Sequence, residues 1–334
     1  MSGERYDLIT MGRVGVDIYP QQIGVPLADV TSFSKFLGGT ATNVAVAAAR
    51  LGARAAVITK VGDDPFAPYV RRALEEFGVD SRFVGTHPKL RTPVVFCEIF
   101  PPDHFPLLFY REPTAPDMTI EPDELDMDVI RTARVFWTTG TGLSAEPSRA
   151  ATLAALAARQ DAPEGTITVH DLDWRPMFWA EPERAGALQR EALSHATVAV
   201  GNRDEVEVTV GTRDPHEASA RLLELGVQIA IVKQGPEGVL ARTRDGVVEV
   251  PPIRLEVVNG LGAGDAFGGA LVHALLNGWD VERAVRLANA AGAYVASQLA
   301  CADAMPDMGT LAPLIGAAAG TDASAPAIDA KVRA

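Results

Sequence analysis

Apolar residues fall in short, nearly continuous runs separated by amphipathic stretches, and the two alternate along most of the chain. Residues 6–11 read as a buried strand, 42–51 as an alanine-rich helix ending at Gly52, and 55–61 as a second strand. The alternation returns with strands near 135–139, 166–172, 198–200 and 229–232, and with helical patterns such as 147–159 and 216–225. Apolar strands alternating with helices predict an α/β fold in which a mostly parallel sheet is covered on both faces. Two stretches break the rhythm, about 14–37 and 93–112, where short extended segments are interrupted by Pro and Gly. They predict a small β lid made of two insertions into a single domain over residues 1–310. From Asn259 the chain turns through a glycine-rich segment into a helix running to about Leu276, and Asp280 is placed to cap a further helix. Residues 320–334 are rich in Ala, Ser, Asp and Pro without a core-forming pattern, and predict a disordered tail.

Composition narrows the function classes. The chain is 47% hydrophobic and 22% charged, with no apolar run long enough to span a bilayer. Its polar first residues lack the layout of a secretory signal, so a cytoplasmic location is expected and no membrane partner. Cys97 and Cys301 are far apart, without metal or redox spacing, and are expected as buried small hydrophobes. Thirty basic and forty-three acidic residues give a net charge of −13, which repels a nucleic-acid backbone in the absence of a basic patch. Such a chain binds anions through a few placed arginines and backbone N–H groups, which draws attention to Arg111 and Arg175.

The strongest chemical signal is Gly262-Ala263-Gly264-Asp265 opening a helix. Small residues there leave backbone N–H groups free to converge on a phosphate. A carboxylate beside such an anion site would repel its ligand, unless it serves as the base that takes a proton from an attacking hydroxyl. A second signal is Gly38-Gly39-Thr40-Ala41-Thr42-Asn43, where glycines allow close approach and Asn43 can bind hydroxyls or satisfy its own turn. Asp17, just past the first strand, is either a solvated carboxylate or an acceptor for sugar hydroxyls. No GxxxxGK[ST] occurs, and the third glycine of a dinucleotide fingerprint is missing.

Together, GGTATN, the central Asn202-Arg203-Asp204-Glu205 and GAGD, in that order and spacing, resemble the ribokinase-like (PfkB) carbohydrate kinases up to about Pro306. The resemblance implies a three-layer α/β/α sandwich with a β lid, and an ATP-dependent phosphotransferase acting on a sugar hydroxyl. It makes Asp265 the catalytic base and Gly262, Ala263 and Gly264 the anion hole. Asn202 and Glu205 would organise magnesium through water, with Asn202, Lys233, Gly235, Gly238, Gly262, Gly264 and Asn289 on the nucleotide side. Asp17, Gly38, Gly39 and Asn43 would face the substrate. Where the family usually has Asp-Thr before GAGD, this chain has Asn259-Gly260, which puts a monovalent-cation site there in doubt. The segments 12–22, 33–39, Tyr110-Arg111-Glu112 and 170–176 resemble the branch acting on deoxy keto-acid sugars. Tyr110, Arg111, Asp173 and Arg175 then join the substrate site, with the two arginines pairing a carboxylate. The expected acceptor is the terminal hydroxyl of 5-dehydro-2-deoxygluconate of inositol catabolism, and 2-dehydro-3-deoxygluconate or another sugar is the alternative. For Arg175 a salt bridge to Asp171 or Asp173 competes with this role, and Arg111 could be a solvated strand end. A catalytically silent sugar or nucleotide sensor would have little reason to keep Asp265 with an intact glycine loop. The lid segment 94–100 carries alternating apolar residues that a second subunit could cover, giving a homodimer through the lid.

Overall fold

The computed structural model describes residues 5–318, and the expected tail at 320–334 lies outside the described residues. The strands are β1 (Leu8–Met11), β2 (Gly15–Pro20), β3 (Phe33–Gly38), β4 (Ala55–Gly62), β5 (Val79–Asp80), β6 (Val84–His87), β7 (Val94–Cys97), β8 (Leu107–Tyr110), β9 (Val135–Thr139), β10 (Ile167–Asp171), β11 (Val198–Asn202), β12 (Ile229–Lys233), β13 (Val239–Arg242) and β14 (Val247–Val250). The helices are α1 (Thr40–Arg50), α2 (Phe66–Glu76), α3 (Met127–Thr132), α4 (Ser148–Ala158), α5 (Ala185–Leu193), α6 (Arg203–Val210), α7 (Pro215–Glu224), α8 (Ala263–Leu276), α9 (Val281–Ala296) and α10 (Met308–Ala318).

The large sheet runs β14-β13-β12-β11-β10-β9-β1-β4-β5, with β6 also paired to β4. Its pairings from β12 to β5 are parallel. β13 and β14 close one edge as an antiparallel hairpin that the apolar pattern had not separated from its turn. β4 is buried at every position, which is why the parallel strands read as unbroken apolar runs. Successive residues nevertheless serve opposite layers. Leu8, Val57 and Trp137 pack under α1, α8 and α9, while Ile9, Ala56 and Phe136 pack under α3, α4 and α5. α6 and α7 extend the second layer through Val206, Ala218 and Leu222. The result is the expected three-layer α/β/α sandwich. Among the described residues no helix is long and apolar enough to cross a membrane.

The two insertions form a separate sheet in the order β3-β2-β7-β8. Asp17, Val95 and Phe109 of its inner face share a cavity with Arg13 and Arg175, which lie just past the C-terminal ends of β1 and β10, where an α/β sheet offers its ligand site. Tyr19, Cys97 and Ile99 of the lid cluster with Cys301 of the body, so both cysteines are buried as expected.

Candidate active site

The chain enters α8 through Gly262, whose φ of 79° suits glycine and strains other residues. A Cβ there would also lie 2.7 Å from Cys301 Sγ. No side chain caps this helix, so its first-turn N–H groups are left for a partner outside it, and the helix dipole favours an anion. Asp265 sits in the same turn, and Asn43 Nδ2 donates to its Oδ2 at 2.7 Å. Asn43 belongs to α1, which follows Gly39 as its N-cap, where φ is 101° and a Cβ would fall 2.5 Å from the Arg13 carbonyl oxygen. The two glycine motifs therefore meet in one place. Asn43 Oδ1 is buried without a partner on the cavity wall, an acceptor left for a ligand hydroxyl. Burial pushes Asp265 up to about 6, against the Asn43 hydrogen bond and the charges of Arg13 and Lys233, while Asp173 adds to the rise.

Two cavities meet here. The smaller, ≈ 70 Å³, lies under the lid, and the larger, ≈ 790 Å³, lies between α8, α9 and the ends of β10 to β12. Thr40, Arg175, Leu261, Gly262 and Asp265 line both. In the smaller cavity Asp17 is buried, and burial raises its pKa to about 6, with Asp265 adding to the rise. Tyr19 opposes that shift by donating its hydroxyl to Asp17 Oδ2 at 2.7 Å. Gly38 contributes by absence, because a Cβ there would sit 2.1 Å from Asp17 Oδ1.

Arg111 is a placed, mostly covered guanidinium, its side chain 9% exposed, rather than a solvated strand end. Its Nη1 donates to Asp117 Oδ2 at 3.1 Å and its Nη2 to Oδ1, and the Val14 N–H donates to the same carboxylate at 3.0 Å. Arg175 does form the competing salt bridge, but a long one, with Nη2 3.4 Å from Asp173 Oδ1. Asp173 is otherwise held by Arg13 Nη2 at 2.8 Å and Thr141 Oγ1 at 2.9 Å. Burial alone would raise Asp173, yet Arg13, Arg175 and Thr141 hold it below the usual carboxylate range. Its φ of 21° is rare for a side-chain-bearing residue and is fixed by these contacts. Asp173 therefore anchors Arg13 and Arg175 while also lining the larger cavity. Tyr110 lies on the other side of the lid sheet from both cavities. Val95 pairs with Phe109, which places Phe109 on the inner face and Tyr110 on the outer one, 60% exposed and edge-on to Phe96.

The larger cavity is bordered by Lys233, Gly235 and Gly238 at the β12–β13 turn, and by Asn202, Glu205 and Asn289. Asn202 and Glu205 form a capping box. Asn202 Oδ1 accepts from the N–H groups of Asp204 and Glu205 at 2.9 and 3.0 Å, and Glu205 Oε2 accepts from the Asn202 N–H at 2.7 Å. Asn289 Nδ2 donates to the Pro251 carbonyl at 2.9 Å. Lys233 Nζ stands 3.8 Å from Asp171 Oδ1. Burial opposes the charge of Lys233, but the carboxylates of Asp171, Glu205, Asp265 and Asp173 outweigh it and raise its pKa. Asp171 is raised by burial against the pull of Lys233, and its buried Oδ1 has no hydrogen-bond partner. Among the described residues no group of three or more His, Cys, Asp or Glu is placed to hold a metal ion. The orphaned Asp171 oxygen beside Asn202 and Glu205 fits a cation that keeps most of its waters, as magnesium does. Asn259 is neutral and internally wired, donating to the Leu299 carbonyl at 2.8 Å and accepting from the Leu261 N–H at 3.1 Å.

Arg13, Asp117 and Asp171 were not among the sequence-derived site residues. Arg13 and Asp171 stand at or just past the C-terminal ends of β1 and β10, a position that could have marked them.

A family profile described as "pfkB family carbohydrate kinase" matches residues 7–308. The 5-dehydro-2-deoxygluconokinase of Photobacterium profundum is 36% identical over 308 residues, 90% of this chain and 92% of that protein. The protein of the same description from Geobacillus kaustophilus is 32% identical over 316 residues, covering 92% and 93%. Among solved structures, a fructokinase from Vibrio cholerae with fructose, ADP and calcium bound superposes with a TM-score of 0.82 at 26% identity, covering 93% of this chain and 100% of that one. The aminoimidazole riboside kinase of Salmonella enterica, in complex with aminoimidazole riboside and an ATP analogue, gives 0.78 at 27% identity, covering 92% and 99%.

Proposed function

The chain belongs to the pfkB family of carbohydrate kinases, and from that premise we propose that it transfers the γ-phosphoryl group of ATP to the terminal 6-hydroxyl of 5-dehydro-2-deoxygluconate, in the breakdown of inositol. The observation that carries this reading is the seam at Asp265 and Gly262, where the cavity under the lid opens into the larger one. A hydroxyl from one side and a phosphate from the other would meet beside a carboxylate and an uncapped helix. The relatives described as 5-dehydro-2-deoxygluconokinases support the acceptor, and so does Arg111, held by Asp117 on the wall of the smaller cavity.

In this reading Asp17 and Asn43 hold acceptor hydroxyls, and Arg111 receives the carboxylate. Asp265 takes the proton as the hydroxyl oxygen bonds to phosphorus and ADP departs. The first-turn N–H groups of α8 and the Arg175 guanidinium face the charge developing on the moving phosphoryl. Lys233, Gly235, Gly238 and Asn289 border the nucleotide. Asn202, Glu205 and Asp171 would hold a hydrated magnesium ion, which when bound supplies neutralising charge to the phosphates. The lid covers the acceptor and keeps water from the phosphoryl group.

The test is ADP release with Mg-ATP and three acceptors, 5-dehydro-2-deoxygluconate, 2-dehydro-3-deoxygluconate and ribose. The expected result is a kcat/KM at least about tenfold higher for the first than for the second, the scale of one well-placed polar contact. Turnover of another acceptor alone would remove the inositol assignment and leave the phosphotransfer chemistry in place.

The outer face of the lid supports a homodimer. Phe33, Phe96 and Tyr110 form an edge-to-face ladder with centroids 5.7 and 5.6 Å apart, and Leu108 beside them is 48% exposed. Such a patch favours cover by another chain. Sedimentation at micromolar concentration is expected to show a dimer that Tyr110→Asp dissociates, and a monomer in the wild type would remove this contact.

A further inference from the structure

Phe178 ends the short turn Pro176–Phe178 that follows Asp173 and Arg175, and nothing in the motifs marks it. Its ring meets three groups at once. The guanidinium carbon of Arg13 lies 5.6 Å from the ring centroid and that of Arg111 lies 5.2 Å away. Phe109 of β8 approaches edge-on, with centroids 4.9 Å apart and planes at 76°. Arg13 belongs to the body, just past β1, whereas Phe109 lies in β8 of the lid and Arg111 directly follows it. Each guanidinium is also paired with its own buried carboxylate, Arg13 with Asp173 and Arg111 with Asp117. Two like charges beside one another repel, and the negative π-face of a shared ring is one of the few uncharged groups that attracts both.

We propose that Phe178 is a positioning residue, whose ring sets Arg13 and Arg111 at the acceptor cavity and latches β8 of the lid to the body. The ring touches no reacting atom and acts through the two arginines and Phe109. Its kinetic consequence rests on the acid acceptor proposed above, but the latch itself does not. Leucine keeps the bulk of phenylalanine without the π-face, and tyrosine keeps the π-face, so this pair separates packing from ring electrostatics.

The experiment compares Phe178→Leu and Phe178→Tyr with wild type, after thermal melts confirm folding, with Phe178→Met replacing the leucine variant if that one does not fold. In the ligand-free protein, amide exchange across residues 107–111 is expected to accelerate about fivefold or more in Phe178→Leu and to stay near wild type in Phe178→Tyr. With 5-dehydro-2-deoxygluconate, KM is expected to rise about tenfold in Phe178→Leu with kcat within about twofold, and to be near wild type in Phe178→Tyr. Equal behaviour of the leucine and tyrosine variants in exchange would overturn the proposal, whether both match wild type or both depart from it. If wild type ignores the acid, the acceptor assignment fails, and the exchange comparison still decides the role of Phe178.

Discussion

Asp265→Asn is expected to lower kcat by about 10²–10⁴-fold, the range of a lost general base, while KM for acceptor and nucleotide stays within about threefold. The substitution is nearly isosteric, and the new amide oxygen can still accept from Asn43 Nδ2, so the geometry at the start of α8 is kept. What disappears is the proposed proton acceptor at the seam of the two cavities. The first-turn N–H groups of α8 and the Arg175 guanidinium remain, so activity should fall to a residual level rather than to the uncatalysed rate. Near-wild-type turnover in a variant that binds both ligands would show that another group takes the proton.

The same carboxylate ties activity and stability to pH with opposite signs. Burial holds Asp265 at about 6, above its ordinary value near 3.8. To act as the proposed base it must be ionised, so kcat/KM of the wild type is expected to fall as pH drops through about 6. Stability runs the other way. A carboxyl whose folded pKa is raised favours the folded state below its unfolded pKa, and that contribution is lost as pH rises through the folded pKa. Asp265→Asn should therefore melt a few degrees above wild type at pH 7.5, with the gap closing towards pH 4. A variant that is both inactive and more stable separates chemical loss from misfolding. Equal melting curves at both pH values would mean that Asp265 is better solvated than its place in the cleft indicates.

Much of this arrangement was legible before the fold was known, because it rests on local rules. The strand and helix runs of the large sheet, the lid insertions, and the glycine openings of α1 and α8 follow from apolar period and backbone permissiveness. What the sequence leaves hidden depends on contacts between distant parts of the chain. Arg13 and Asp173 are separated by 160 positions, and neither marks the other in sequence. The outward placement of Tyr110 is hidden for a subtler reason. Leu107-Leu108-Phe109-Tyr110 is apolar throughout, so period-two alternation cannot say which residues face inward. Pairing with β7 decides it, and a shift of one residue would exchange Phe109 for Tyr110 in the cavity. Asn202 and Glu205 show the converse. Their spacing is satisfied as a capping box, a local structural use that coexists with the magnesium role proposed for their remaining atoms.

Arg111 and Arg175, which the sequence suggests act together on a carboxylate, are expected to give different kinetic signatures. Arg111 lines only the acceptor cavity and is locked by Asp117, whose side chain is 1% exposed. Arg175 lines both cavities, its side chain is 38% exposed, and its bridge to Asp173 is long. A substrate that presents its terminal hydroxyl to Asp265 carries its carboxylate at the other end of the molecule. Arg111 is then the carboxylate partner, and Arg175 is the cation facing the phosphoryl group. Arg175→Ala should cost about 10²-fold or more in kcat with a small change in the acceptor KM, because the interaction strengthens as charge moves onto the transferring group. Arg111→Lys should raise the acceptor KM about tenfold with kcat nearly unchanged, since lysine keeps the charge but loses the two-pronged geometry. Arg111→Met is the poorer probe, because it strands the buried Asp117 charge at a cost of about 3–5 kcal/mol in stability. Steady-state kinetics of the alanine and lysine variants with both substrates varied would settle the division. If Arg175→Ala instead raised only the acceptor KM, both arginines would be carboxylate ligands, and the α8 N–H groups would face the phosphoryl charge without a guanidinium beside them.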